Sequence, residues 1–99
     1  MAAYLEISHA EGTEAVPLEG VAVTIGRGDS NDICLDDPAV SRRHAVIEKL
    51  AAGWSIQDVG SLNGTFVNGA MLERPRPLYS GDEIVIGDTQ LIYHSGALG

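Results

Sequence analysis

Three short segments, Gly26-Arg27, Ser41-Arg42-Arg43-His44 and Asn63-Gly64-Thr65, carry the residue types that grip a phosphate. An arginine presents a planar fork of permanently charged donors that matches a phosphate edge. A serine hydroxyl adds one neutral hydrogen bond, and an asparagine amide both donates and accepts. This chemistry is recognition rather than catalysis. Ser41, His44 and Asp58 or Asp82 superficially suggest a triad, but Ser41 lacks the G-x-S-x-G elbow that exposes a nucleophile. Ser41 and His44 are also too close in sequence to orient freely, and adjacent arginines suit an anion better than proton transfer. The run Asp29-Ser30-Asn31-Asp32 lacks the central glycine and distant glutamate of a calcium loop and reads as an acidic turn. No catalytic residue, metal ligand or cofactor is assigned.

Strand-like segments separate these loops. Alternation by two dominates the chain, and no segment holds a helical period. Tyr4–Ser8, Ala15–Leu18, the Val21-Val23-Ile25 stretch, Ile33–Leu35 and Ala45–Leu50 read as strands. Trp54, Ile56 and Asp58 form one face of the next. Phe66-Val67 followed by Asn68-Gly69 signals a hairpin with a type I′ turn, both central residues having positive φ, and Met71-Leu72 returns on its far side. Leu78-Tyr79 precedes a turn at Ser80-Gly81-Asp82. Glu83–Ile86 and Gln90–His94 form a last hairpin around Gly87-Asp88. Ten or eleven short strands with turn signals every several residues predict an all-β antiparallel sandwich, with the three loops carried to one edge of a sheet.

Ninety-nine residues suit a single domain, with a core at about 4–94 and a frayed end or linker start at 95–99. The formal net charge of −8 disfavours general binding to nucleic acid or to an anionic membrane. Three of the six cationic residues, Arg27, Arg42 and Arg43, lie in the three loops, so a local positive site sits on an acidic body. The lone cysteine, Cys34, excludes an internal disulfide and reads as a small buried hydrophobe in a reducing compartment. No signal peptide or membrane span is visible, and a cytoplasmic location is expected. The Ala- and Gly-rich composition reads as bacterial.

The chain resembles the forkhead-associated (FHA) domain from about Tyr4 to His94. The matching elements are Gly26-Arg27, Ser41-x-x-His44, the run from Asp58 through Gly60-Ser61-Leu62-Asn63-Gly64-Thr65-Phe66, then Asn68-Gly69 and Gly81-Asp82. Each alone is weak, whereas their order and spacing together are specific. The resemblance implies an eleven-stranded β-sandwich that recognises phosphothreonine in partner proteins within Ser/Thr kinase signalling. It implies that Arg27 and Ser41 contact the phosphate, that Arg42 adds a further contact, and that Asn63 bonds the peptide backbone. Leu62 and Arg43 are candidate peptide contacts, with a solvated surface charge as the alternative for Arg43. Leu62 departs from the threonine that many family members carry, and it leaves either one hydroxyl contact fewer or an apolar wall beside the bound threonine. Gly26, His44, Gly64, Asn68 and Gly69 are read as structural support of the binding loops, with His44 tying two loops through its two nitrogens. The expected partner is a phosphothreonine-containing protein or peptide, with the same polypeptide as one source. The competing reading is a phosphate-independent interaction or scaffold domain on the same fold.

Overall fold

The computed structural model describes residues 3–96, which form eleven β-strands and no helix. In chain order they are β1 (Tyr4–His9), β2 (Gly12–Pro17), β3 (Ala22–Gly26), β4 (Ile33–Cys34), β5 (Ala45–Leu50), β6 (Gly53–Asp58), β7 (Thr65–Val67), β8 (Ala70–Met71), β9 (Arg76–Pro77), β10 (Glu83–Ile86) and β11 (Thr89–His94). They build two sheets, ordered β2-β1-β11-β10-β7-β8 and β4-β3-β5-β6-β9. Every pairing is antiparallel except β3 with β4, which runs parallel through Ile25 opposite Ile33.

The alternation in the sequence explains the layering. Along a strand, every second side chain meets the opposite sheet. Leu5 and Ile7 of β1, Ile84 and Ile86 of β10, and Leu91 and Tyr93 of β11 are almost fully buried. Ile25, Ile47 and Ile56 of the second sheet are completely buried. Each such side chain contributes about 1.5–3 kcal/mol relative to exposure, so this interior is what holds the loops' anchor points still. Prolines fall where a missing N–H is harmless: Pro17 and Pro77 both lie on edge strands.

The hairpin at Asn68-Gly69 has φ values of 51° and 85°, the type I′ pattern expected from its residues. Three sequence expectations need correction. Cys34 is exposed, not buried: in the two-residue edge strand β4 Ile33 turns inward and Cys34 outward, and Leu35, just after the strand, turns inward again. An apolar run of three residues gives no clue to which side faces the core. Val21 lies outside β3 and is 79% exposed. The strand before the Ser80-Gly81-Asp82 turn is Arg76–Pro77 rather than Leu78-Tyr79; Leu78 is buried but Tyr79 is not. Of the segment 95–99 read as a frayed end or linker start, residues 97–99 lie outside the described residues.

Strand register decides where the functional loops emerge. Ala45 pairs with Ile25 on one side and with Asp58 on the other. The end of β3, the start of β5 and the end of β6 therefore lie abreast at one sheet edge. Thr65, the first residue of β7 in the opposite sheet, reaches across to the same place by donating its hydroxyl to Asp58 at 2.7 Å.

Candidate functional site

Three loops leave that edge: residues 27–32, residues 35–44 and residues 59–64. The middle loop is bonded to both others. Arg27 N–H donates to the Ser41 carbonyl at 2.9 Å, and Gly28 N–H donates to the Arg42 carbonyl at 3.1 Å. The buried Asn31 closes the same seam, its Nδ2 donating to the carbonyls of Gly28 (2.8 Å) and Arg42 (2.7 Å). Gly26 is required by this approach, because a Cβ there would overlap the Arg42 carbonyl oxygen. We expect Gly26→Ala to push the first two loops apart. A loss of about 1–3 kcal/mol is expected for such overpacking, read by thermal melting.

His44 joins the middle loop to the third. Its ring is completely buried. Nδ1 accepts from Ser41 N–H at 3.0 Å, and Nε2 lies 2.8 Å from the Gly64 carbonyl. The amide must donate and the carbonyl must accept, so the ring is the neutral tautomer with its hydrogen on Nε2. Ser41 Oγ accepts from Leu62 N–H at 2.9 Å, and Asn63 Nδ2 donates to the Ala39 carbonyl at 2.9 Å. His44 thus holds the backbone of Ser41 and makes no bond to its hydroxyl.

Two carboxylates brace these loops from behind, and the sequence did not single them out as supports. Asp58 Oδ1 accepts from the N–H groups of Gly60 and Ser61, and Oδ2 accepts from the hydroxyls of Ser61 and Thr65. Ser61 Oγ accepts in turn from Gly64 N–H at 2.9 Å. Asp37 is buried; Oδ1 accepts from Ala39 N–H, and Oδ2 accepts from Asp88 N–H and the Thr89 hydroxyl, both at 2.8 Å. Those last bonds lock the middle loop to the β10–β11 turn. The nearest sequence signals were the Asp-Pro pair at 37–38 and the serine three residues after Asp58, both local turn patterns. Asp37's partners in β11 and its turn are more than fifty residues away, beyond the reach of any local pattern.

Burial alone would raise both carboxyls, but the hydrogen bonds outweigh it and hold Asp37 and Asp58 below the usual carboxylate range. For Asp37 the donors are Ala39, Thr89 and Asp88. For Asp58 they are Ser61, through hydroxyl and amide, then Thr65 and Gly60. A carboxyl lowered on folding stabilises the native state above its unfolded pKa, near 3.8–3.9. That stability is lost as pH falls through the lower folded values. Melting temperature is therefore expected to drop from about pH 4 downward through these two groups, while their contribution between pH 5 and 7 stays flat. Asp37→Asn should cost about 1–3 kcal/mol at neutral pH by leaving donors unpaired, and should blunt the acid sensitivity.

What the loops present follows from which groups are already occupied. Arg27 Nε donates to the Val40 carbonyl at 3.0 Å, which fixes the guanidinium and leaves its terminal N–H groups free. Ser41 Oγ receives Leu62 N–H, so its own O–H remains to donate. Asn63 keeps its amide oxygen and one N–H. Arg42 and Arg43 are exposed. The ion pairs among the described residues are His9–Glu14 and His94–Glu6, so Arg27, Arg42 and Arg43 carry unpaired charge. A surface depression is lined by these three arginines with Gly28, Asp29 and Ser30. The acidic run beside it supports the scaffold: Asp32 accepts from Thr24 N–H and its hydroxyl, and Asn31 closes the seam. Among the described residues, no cluster of His, Cys, Asp and Glu is arranged to hold a metal ion.

Arg27, Ser41, Arg42, Leu62, Asn63, Gly26, His44 and Gly64 therefore converge, and Arg43 lines the same depression as Arg27 and Arg42. Asn68 and Gly69 do not join the three loops. They form the β7–β8 turn, where Asn68 Nδ2 donates to Asp82 at 3.0 Å and Asn68 Oδ1 accepts from Glu83 N–H at 2.9 Å.

Comparison with known proteins places this geometry. A family model described as the FHA domain matches residues 23–87. The oxoglutarate dehydrogenase inhibitor of Corynebacterium diphtheriae is 44% identical over 82 residues, covering 80% of this chain and 54% of that protein. The chain thus spans about half the length of this relative. Among solved structures, one from a structural and functional analysis of phosphothreonine-dependent FHA domain interactions superposes with a TM-score of 0.89 at 31% identity. It covers 99% of this chain and 100% of that one. Mycobacterium tuberculosis EmbR in complex with a low affinity phosphopeptide also superposes with a TM-score of 0.89, at 35% identity over 99% of this chain and 26% of that one.

Proposed function

Since this chain belongs to the FHA domain family, we propose that its three-loop edge binds phosphothreonine in a partner protein and so makes an interaction depend on a Ser/Thr kinase. The observation that carries this reading is the set of unpaired donors on one edge of an acidic body. They are the free guanidinium groups of Arg27 and Arg42 and the free hydroxyl of Ser41, all on loops cross-bonded to one another. A phosphothreonine carries about −1.5 to −2 charge near neutral pH. Arg27 engages two phosphate oxygens, Ser41 a third contact, and Arg42 closes over the group from the adjacent position. Asn63 uses its remaining amide groups on the backbone beside the phosphothreonine, ordering the peptide in an extended form. Gly26, His44 and Gly64 position these residues.

Each charge-assisted bond contributes about 1.5–3 kcal/mol, and ordering the peptide offsets part of it, which gives a Kd in the micromolar range. The domain acts by binding and not by catalysis: among the described residues the Ser41 hydroxyl makes no bond to a base, and both His44 nitrogens are engaged. Residues 4–94 function as one domain around one core, in the cytoplasm of a bacterial cell, where a single exposed thiol fits a reducing compartment. No helix among the described residues is long and apolar enough to cross a membrane.

Titrating isotope-labelled protein with a randomised phosphothreonine peptide library tests this assignment. Amide resonances of residues 27–30, 41–43 and 61–64 are expected to shift, and the unphosphorylated library is expected to leave them in place. Shifts centred on another face, or identical with both libraries, would favour the phosphate-independent scaffold.

A further inference from the structure

Ser30 lines the arginine-lined depression, and its side chain takes no part in the loop bonding described above. It is exposed, and its hydroxyl has no partner among the described residues. Other hydroxyls around the loops are committed to the fold: Ser61 and Thr65 donate to Asp58, Thr24 to Asp32 and Thr89 to Asp37. The position of Ser30 is fixed by its turn. Asn31 N–H donates to the Gly28 carbonyl at 3.2 Å, which places Asp29 and Ser30 at the corner of a four-residue turn. That turn is bonded twice to the Arg42 carbonyl, through Gly28 N–H and through Asn31 Nδ2. Its corner lines the same depression as Arg27, Arg42 and Arg43, and none of these three has an ion-pair partner among the described residues. Asp29 lines the depression as well and pairs with none of them.

We infer that Ser30 is a regulatory phosphorylation site: a phosphoryl group on its Oγ is held by Arg27, Arg42 and Arg43 and bars the phosphothreonine ligand from its seat. This rests on the phosphothreonine reading above. A serine/threonine protein kinase with ATP supplies the group. The bond from Ser30 Oγ to the γ-phosphorus forms, the bond from that phosphorus to the bridging oxygen breaks to release ADP, and the hydroxyl proton passes to the kinase's base. An exposed turn corner is where a modifying enzyme reaches a side chain. The product places about −1.5 to −2 charge and three acceptor oxygens among three unpaired guanidinium groups. As a tethered group it competes at an effective concentration of the order of millimolar. Its charge also repels a second phosphate approaching the same arginines. One modification on the partner thus creates the ligand, and the same modification on Ser30 closes the site that reads it.

The test compares wild type, Ser30→Ala and the chain carrying phosphoserine at position 30, installed during translation. Phosphothreonine and plain threonine peptide libraries are titrated by fluorescence polarisation. Wild type and Ser30→Ala are expected to bind the phosphothreonine library alike, and the phosphate on Ser30 is expected to weaken that binding at least about 10-fold. A second readout needs no peptide. The phosphorus-31 resonance of the Ser30 phosphate is expected to titrate below about pH 6, the ordinary second pKa of a phosphoserine, and to return toward it in Arg42→Ala. Undiminished peptide binding by the phosphorylated chain, or a phosphate that titrates as in a free peptide, overturns the inference. So does the absence of phosphate from Ser30, by mass spectrometry, in the chain isolated from its own cells with phosphatases inhibited. Failure of wild type to prefer the phosphothreonine library overturns the functional reading, and the regulation with it, even where the phosphorus titration is lowered.

Discussion

Replacing Arg27 by alanine is expected to weaken phosphopeptide binding at least about 100-fold while leaving the fold intact. Its guanidinium is held at Nε by the Val40 carbonyl, and its terminal N–H groups have no partner among the described residues. Two charge-assisted bonds at about 1.5–3 kcal/mol each account for a loss of this size, since about 1.4 kcal/mol is a factor of ten. Stability should change by less than about 1 kcal/mol, because the side chain is exposed and makes a single bond to the protein. Arg27→Lys separates charge from geometry. An ammonium keeps the charge but loses the two-pronged fork and the Nε bond, so binding weaker than wild type yet tighter than alanine is expected. Polarisation titration, with thermal melting as the control for folding, reads both. Binding by Arg27→Ala equal to that of wild type would remove the phosphate from the account.

The second large effect lies at a residue expected to make no contact with the ligand. His44→Ala leaves the Ser41 amide and the Gly64 carbonyl without partners in a fully buried site and opens a cavity the size of an imidazole. Two unpaired groups at about 1–3 kcal/mol each, with the cavity added, give a loss of about 3–5 kcal/mol. For a domain of this size that lowers the melting temperature by more than about 10 °C. Binding is expected to fall as well, below the melting transition, because Ser41 and Leu62–Gly64 lose their common tie. His44→Asn offers a check on the cause. Its amide oxygen occupies roughly the place of Nδ1 and restores the Ser41 bond but not the Gly64 bond, so partial recovery is expected. Equal damage from alanine and asparagine would mean that cavity volume, not the bridge, dominates.

The sequence disclosed the fold and the chemistry unevenly, for physical reasons. Long alternating strands were legible because burial on one face imposes a period of two, and Leu5-Ile7 or Ile84-Ile86 shows it plainly. Asn68-Gly69 was legible because few residue pairs accept two positive φ values. Two-residue strands such as β4 and β9 carry no period, so the parallel β3–β4 pairing, the exposure of Cys34 and the position of β9 emerged only in three dimensions. The site residues stood out by type: arginine, serine, histidine and asparagine in loops. Their supports did not. Asp37, Asp58 and Asn31 resemble ordinary turn residues, and their importance lies in bonds that close across the fold, as from Asp37 to the hairpin at Asp88 and Thr89. Loop position is encoded in strand register, and register is a property of pairs of segments.

We propose that the cross-bonded loops at one sheet edge read a phosphate on threonine. The most direct measurement is a polarisation titration of wild type with one set of peptides carrying threonine, phosphothreonine or phosphoserine at the same position. A micromolar Kd is expected for phosphothreonine, with binding weaker by at least about 100-fold for plain threonine and weaker for phosphoserine, which lacks the γ-methyl. Equal affinity for plain threonine and phosphothreonine would contradict it, whereas equal affinity for the two phosphorylated residues would contradict only the preference for threonine.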